Sequence, residues 1–242
     1  MAVSRNTRNV PPVSHYDSYA AFKSYTTPTL GAKHSKRFDR EVWTPAGFRA
    51  DHAVLEIGCG TGLFLAYLAE KGVSRFAGID QDPALAEVVP SAARAHFHVA
   101  DAGQYLAEVR LRGETFDRVA LFDVLEHFDA EAGRELLAGV RTVLAPGGGV
   151  VIKVPNAGSP WGGQFQYGDL THKTAYTPES LAQQAIAAGF DCRRTWPHKL
   201  GSPARQRWES LLHGILGSVV TSPPSIWEGN FYAYLVPNDG NR

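Results

Sequence analysis

The sequence predicts an α/β protein built on a doubly wound, seven-stranded, mostly parallel sheet. Three observations carry this reading. Short β-type runs alternate with helical segments between residues 53 and 154, a strand–glycine turn–helix unit stands at the head of the series, and two further β-type runs close the chain. Strands alternating with helices form βαβ units, which lie in a parallel sheet covered on both faces.

The elements follow in order. Residues 1–50 are rich in Pro, Ser, Tyr and Thr and contain one helical stretch, KHSKRFDREVW, so they read as an arm appended to the core. The first five β-type runs are AVLEI (53–57), RFAGID (75–80), HFHVA (96–100), FDRVALF (116–122) and GVVIKV (149–154). Their branched and aromatic side chains suit strands buried on both faces. Helical composition fills 63–71, 83–89, 104–109 and 130–144 between them. Beyond the fifth run comes a polar loop, then a helix over 178–188 with three start signals: Thr177 as cap, Pro178 at the first position and Glu179 at the positive end. FDCRRTW (190–196), a basic stretch, an apolar helix and a last run NFYAYLV (230–236) complete the chain. There is no internal repeat and no low-complexity tract.

With 242 residues and 44% apolar content the chain fits one elaborated domain. Its formal net charge is zero, so no global field draws nucleic acid and the expected partner is a small molecule. Two cysteines, Cys59 and Cys192, are too few for a disulfide framework, and a reducing cytoplasm is the expected location. No secretory h-region and no run of about 20 apolar residues occurs, so a soluble protein is expected.

Chemistry concentrates first in VLEIGCGTGLFLAYLAE, residues 54–70. Gly58, Gly60 and Gly62 allow a sharp turn and close approach to a ligand, and the helix behind them offers free N–H groups. Leu63 stands where a third glycine of the dinucleotide fingerprint would fall, and no Lys-Ser/Thr pair follows, which excludes a phosphate cradle. Such a loop suits a ligand without a diphosphate. Asp80 ends the second strand, where an acid accepts ribose hydroxyls, and Asp101 with Ala102 follows the third. Cys59 reads as the filler of a small buried site rather than a nucleophile.

From residue 50 to 155 the motifs VLEIGCGTG, GID, DA at 101–102, FDRVALFDVLEHF and LAPGGGVVIKVPN resemble, in order and spacing, the class I S-adenosylmethionine-dependent methyltransferases, a Rossmann-like fold. The resemblance implies S-adenosyl-L-methionine as cofactor. It implies Gly58, Gly60 and Gly62 beside the methionine moiety, Glu56 near its ammonium, Asp80 on the ribose, Gln81 by the adenine ring, Asp101 with Ala102 at the adenine amine, and Phe122 in the same pocket. The chain then divides into an arm (1–50), a cofactor-binding half (51–155) and an acceptor-side half (156–242).

Methyl transfer to an alcohol needs alignment and a route for the hydroxyl proton, through a general base or a metal that acidifies the hydroxyl. FDVLEHF, residues 122–128, resembles the acid-x-x-Glu-His group that binds a divalent ion in ubiquinone-type O-methyltransferases. That resemblance gives Asp123, Glu126 and His127 as a possible metal set, ranked here below the reading in which Glu126 and His127 line the cofactor pocket. The segment VPNAGSPWGGQFQYGDLTHKTAYTPESL (154–181) resembles a bacterial group that methylates surface glycans and glycosylated metabolites. Trp161, Phe165 and Tyr167 would form an aromatic wall for the C–H faces of a sugar, with Tyr176 and Arg194 as further acceptor contacts. Asp169 beside His172 is a general-base pairing, and either His127 or His172 is expected to take the proton.

The stretch 193–207 gathers Arg193, Arg194, His198, Lys199, Arg205 and Arg207, which suits a phosphate-bearing acceptor or a solvated surface patch. Trp208, Leu211, Leu212, Ile215, Leu216, Val219 and Val220 then share one helical face. That stripe is expected to bury itself over the acceptor site or against a second subunit in a homodimer. A membrane is the poorer expectation, since the opposite face carries no Lys or Arg. The reading is an O-methyltransferase acting on a hydroxyl of a sugar or glycosylated metabolite. Its alternatives are a ubiquinone-type, metal-assisted phenol O-methyltransferase and a non-catalytic, cofactor-binding partner subunit.

Overall fold

The computed structural model describes residues 25–238 and contains a seven-stranded sheet in the order β3-β2-β1-β4-β5-β7-β6. The strands are β1 (Ala53–Ile57), β2 (Arg75–Asp80), β3 (Phe97–Val99), β4 (Phe116–Phe122), β5 (Leu144–Pro155), β6 (Phe190–Pro197) and β7 (Asn230–Pro237). The first five pair in parallel, and β7 runs antiparallel between β5 and β6. The order reverses at β1, where β2 leaves to one side and β4 to the other. Open α/β sheets bind ligands outside the carboxyl ends of their strands at such a point.

Helices cover both faces: α1 (Ala32–Phe38), α2 (Leu63–Glu70), α3 (Ser91–Arg94), α4 (Ala102–Leu111), α5 (Ala130–Arg141), α6 (Gly163–Gln166), α7 (Pro178–Ala187) and α8 (Pro203–Val219). Because strand side chains alternate, each central strand feeds two cores. Leu55, Ile57, Val119, Leu121, Val150 and Ile152 meet α4, α5 and α7 on one face. Val54, Ala120 and Val151 meet α2 and the segment from Phe38 to Phe48 on the other. That second core corrects the picture of residues 1–50 as an arm. Phe38, Val42, Ala46 and Phe48 are buried, with Phe38 and Phe48 packed on Phe64. A π-helical turn over Asp39–Trp43 follows α1 directly, and Trp196 Nε1 on β6 donates to the Glu41 carbonyl at 2.9 Å. Residues 1–24 of the expected arm lie outside the described residues.

Two local expectations shift. Pro83–Glu87 is a 3₁₀ turn rather than an α-helix, with Asp82 accepting from the Ala84 N–H. β5 begins earlier than expected, at Leu144, and runs through Gly147 to Gly149. The start of α7 is as read: Thr177 and Ser180 exchange side chain–backbone hydrogen bonds as a capping box, with Pro178 behind the cap.

The largest departure is α8. None of its residues is buried, and Trp208, Leu211, Ile215 and Val219 are 72, 55, 55 and 77% exposed. Apart from half-buried Leu216, the apolar stripe is not covered by the acceptor side of its own chain. The half-buried residues are instead Gln206, Glu209, His213, Leu216 and Gly217. His213 stacks on Trp227 at 5.4 Å and lies 3.3 Å from Trp161 Nε1, so the body receives largely the polar side of the helix.

Candidate active site

The glycine loop leaves β1 at Ile57 and enters α2 at Leu63, and Gly58, Gly60 and Gly62 all adopt left-handed φ between 53 and 76°. At Gly58 a methyl group would stand 2.4 Å from Val124 Cγ2, so this position has no room for a side chain in addition to its φ of 68°. The loop is tied to β2: Gly58 N and Cys59 N donate to the Ile79 carbonyl, and Gly60 N donates to Asp80 Oδ2 at 3.0 Å. Asp80 Oδ1 accepts from Asp82 N at 3.1 Å. Burial raises the Asp80 carboxyl above its ordinary range, against the pull of these N–H donors. Burial also pushes the Cys59 thiol up, which suits a filler and not a nucleophile.

Glu56, on β1 just before the loop, is 4% exposed, and its Oε2 has no hydrogen-bond partner. Burial, reinforced by Asp80, holds its carboxyl well above the usual range. A buried, unsatisfied carboxyl beside a tight glycine turn suits the approach of a ligand cation. Gln81 is exposed just past β2. Asp101 caps α4 by accepting from Gln104 N at 3.0 Å, with Ala102 as the first helical residue. Phe122 ends β4, half-buried and edge-on to Phe64 and Tyr232. The structure therefore brings the residues expected around S-adenosylmethionine to the carboxyl ends of β1, β2, β3 and β4. Their chemistry fits that molecule: a carboxylate for its ammonium, a second for its ribose, and glycines where backbone must come close.

Beyond β4 the chain turns at Asp123, the one non-glycine residue with positive φ among the described residues (56°). Its amide donates to the Lys153 carbonyl at 2.9 Å, and its carboxylate pairs with Lys153 Nζ. This geometry takes Asp123 out of the expected metal set. It leads into the short turn Leu125–His127, which presents Glu126 and His127.

The loop from Asn156 to Tyr176 folds over this turn. Buried Asn156 anchors it by donating to the Ile226 and Glu228 carbonyls at 2.8 and 3.0 Å. At Gly162 a methyl group would lie 1.7 Å from the Asn156 carbonyl oxygen, so only glycine fits that crossing. The loop reaches the turn through Lys173 and Thr174, whose amides donate to the Glu126 carbonyl at 2.7 and 3.1 Å.

Three side chains meet there. The ligand atoms of Glu126, His127 and His172 lie within 4.8 Å of one another, and the two imidazoles stand edge to face at 4.7 Å. Thr171 Oγ1 donates to Asp169 Oδ1 at 2.6 Å and lies 2.9 Å from His127 Nδ1. With its only proton given to Asp169, Thr171 accepts from His127, which assigns the His127 proton to Nδ1 and the lone pair to Nε2. His172 Nδ1 lies 2.9 Å from the Gln166 carbonyl, an acceptor, so its lone pair is also on Nε2, 4.0 Å from Glu126 Oε1. The expected pairing is thereby rearranged. Asp169 serves His127 through Thr171, and the His172 imidazole approaches the Glu126 carboxyl at 4.0 Å.

Glu126 is fully buried and neither carboxylate oxygen has a hydrogen-bond partner. Burial, then the nearby Asp123, holds its carboxyl well above the ordinary range. Thr171 and Lys153 were not singled out in the sequence. Thr171 stands inside the polar stretch as a hydroxyl between Asp169 and His172, but only the fold shows it bridging to His127.

The acceptor contacts divide. Trp161 and Tyr167 are exposed at 46 and 79% and form an open aromatic edge, while Phe165 packs against Gly229. Tyr176 is 2% exposed, next to Gly133, so it closes the core instead of lining the wall. Burial, then Glu126, pushes its hydroxyl up to about 12. Arg194 is exposed with its guanidinium 5.3 Å from the Trp196 ring. His198 leaves the basic stretch altogether: it is buried, with Nδ1 2.8 Å from Glu41 Oε2.

Among solved structures the chain is similar to a SAM-dependent methyltransferase from Archaeoglobus fulgidus, with 23% identity over 90% of this chain and 99% of that one and a TM-score of 0.66. It is similar to the DhpI–SAH complex at 14% identity over 93% and 94% of the two chains, TM-score 0.59. A third likeness, at 16% identity over 95% and 100% with a TM-score of 0.61, is to a chain of the complex between the Haloferax volcanii Trm112 methyltransferase activator and a methyltransferase. No curated protein matches the sequence. Residues 30–195, about two thirds of the chain and all of the two sites just described, match the family model described as Methyltransferase domain, and the protein belongs to that family.

Proposed function

We propose that this methyltransferase uses S-adenosyl-L-methionine to methylate a hydroxyl of a sugar or glycosylated metabolite, with His127 as the general base. The observation that carries the reading is the Glu126–His127–His172 cluster, set beside the glycine loop and roofed by the polar loop. When bound, S-adenosylmethionine supplies an electrophilic methyl group. The chain supplies the rest. The lone pair on His127 Nε2 takes the acceptor's hydroxyl proton, and the imidazolium so formed is stabilised by the Thr171–Asp169 relay at Nδ1. His127 keeps partial solvent access, whereas the His172 side chain is only 8% exposed. His172 and Glu126 accordingly back the base. The exposed Trp161 and Tyr167 rings support the sugar, since apolar C–H faces pack on aromatic surfaces. Arg193 and Arg194 offer an exposed place for a phosphate on the acceptor.

A second reading draws on the unpartnered Glu126 carboxylate. Two imidazole Nε2 atoms and one carboxylate fit a divalent ion, and both Nδ1 atoms are already held by hydrogen bonds, as metal-bound histidines usually are. Glu126, His127 and His172 would hold it, and it would acidify an acceptor hydroxyl such as a phenol. The test is transfer of isotope-labelled methyl into nucleotide sugars, glycosides, glycan extract and phenols, with and without chelator. Chelator-insensitive label on a saccharide hydroxyl is expected. Label on phenols alone, abolished by chelator, would replace the first reading with the second, and no label on any acceptor would refute both.

A further inference from the structure

α8 is an amphipathic helix mounted with its apolar side out. Trp208, Leu211, Leu212, Ile215 and Val219 are exposed, while Gln206, Glu209 and His213 turn toward the body. Exposed apolar side chains continue beyond both ends, at Leu200 and Val220. Trp161, 46% exposed on the acceptor loop, is tied to the inner side of the same helix through its bond to His213. A contiguous apolar surface of this kind is costly in water and marks a docking face.

Charge selects the occupant. From Lys199 to Trp227 the basic residues are Lys199, Arg205 and Arg207 and the sole acid is Glu209. Arg205 reaches Glu209 at 3.8 Å, and Glu209 sits on the inner side. A second copy of the chain docked stripe to stripe would meet this basic excess with the same excess, its one acid already paired with Arg205. An anionic lipid surface accepts both the apolar stripe and the arginines, which lie at the first turns of the helix where anionic headgroups also meet the helix N-terminus. No helix among the described residues is long and apolar enough to cross a membrane, so the contact lies in the interface plane. The absence of Lys or Arg on the opposite face does not count against this, because that face is turned to the protein.

We propose that α8 seats this methyltransferase on an anionic membrane surface. Because His213 bonds to Trp161, a seated α8 also holds the acceptor loop close to that surface.

The test is co-sedimentation of the full chain with phosphatidylcholine vesicles, with and without phosphatidylglycerol, at low and high salt, alongside analytical ultracentrifugation without lipid. Binding to the anionic vesicles, weakened by salt, is expected. Ile215→Glu and Leu211→Glu should each lower it roughly tenfold or more by placing a charge in the apolar contact, and Arg207→Glu should lower it by removing attraction. All three should leave the melting temperature and S-adenosylmethionine affinity unchanged, since these side chains are exposed and lie outside the candidate site. No sedimentation with any vesicle overturns the proposal. So does a lipid-free dimer that Ile215→Glu converts to monomer.

Discussion

Glu126→Gln is the sharpest probe of the cluster, because it removes one ionisable proton while keeping the side chain's shape. Glu126 is fully buried and without a hydrogen-bond partner, and its native-state carboxyl is raised above the ordinary glutamate value of about 4.5 by burial and by Asp123. The sign follows from linkage. As pH rises past 4.5, the unfolded chain releases the Glu126 proton while the native chain keeps it, so the unfolded state binds fewer protons and stability falls with pH. The loss is at most about 1.4 kcal/mol for each pH unit, and it continues until the native carboxyl itself ionises. For a chain of this size that corresponds to about 3–6 °C in melting temperature per pH unit. Glutamine has no such dependence. Thermal unfolding of the ligand-free protein at pH 5, 6 and 7 should therefore show Glu126→Gln gaining on the wild type as pH rises. Parallel wild-type and variant curves would refute a protonated native Glu126.

Other perturbations test the remaining contacts. His127→Ala should lower turnover by about 100-fold or more with little change in S-adenosylmethionine affinity, and Thr171→Val should shift the acid limb of the pH–rate profile by cutting the relay to Asp169. Unchanged profiles for both would remove His127 as base. Gly58→Ala should weaken S-adenosylmethionine binding, read by calorimetry, at least roughly tenfold, since the added methyl meets Val124 at 2.4 Å. Val124→Ala should restore part of that affinity, and no restoration would count against the steric account. Glu41→Gln should destabilise by about 2 kcal/mol, measured by denaturant titration, because buried His198 loses a charged hydrogen-bond partner.

The cofactor half was legible because its signals are local. A strand, a glycine loop and a helix form a contiguous code, and the acids proposed for the cofactor stand at or next to strand ends, where sequence order alone places them at one edge of the sheet. Glu56, Gly58, Asp80 and Asp101 needed no tertiary information. The acceptor side was legible in residue type and not in pairing. His127 and His172 were both visible as chemistry, yet their partners lie 44 and 46 residues away along the chain: Thr171 for His127, Glu126 for His172. Proximity in sequence favoured Asp169 with His172, and the fold exchanged the partners because Thr171 turns toward the 125–127 turn while His172 turns toward the Gln166 carbonyl. The arm was misjudged for a related reason. Its four core residues, Phe38, Val42, Ala46 and Phe48, are spaced at four, four and two across a helix, a π-turn and a bend, which no single period reveals.

α8 inverts that lesson. Its period was read correctly as an amphipathic helix, and of the two covers expected for its apolar face, the acceptor site or a second subunit, the first is not what the fold supplies. The body instead takes the helix by His213, held between Trp161 and Trp227. Turning this stripe inward would carry Trp208 and Ile215 to the side now held by His213 and would give up the anchor that ties the helix to the acceptor loop. A polar anchor on one side and an apolar stripe on the other thus orient the helix together. The loop that roofs the reactive cluster and the surface that seeks an apolar partner are consequently two ends of one connection, so whatever α8 binds also bears on Trp161 at the acceptor's entrance.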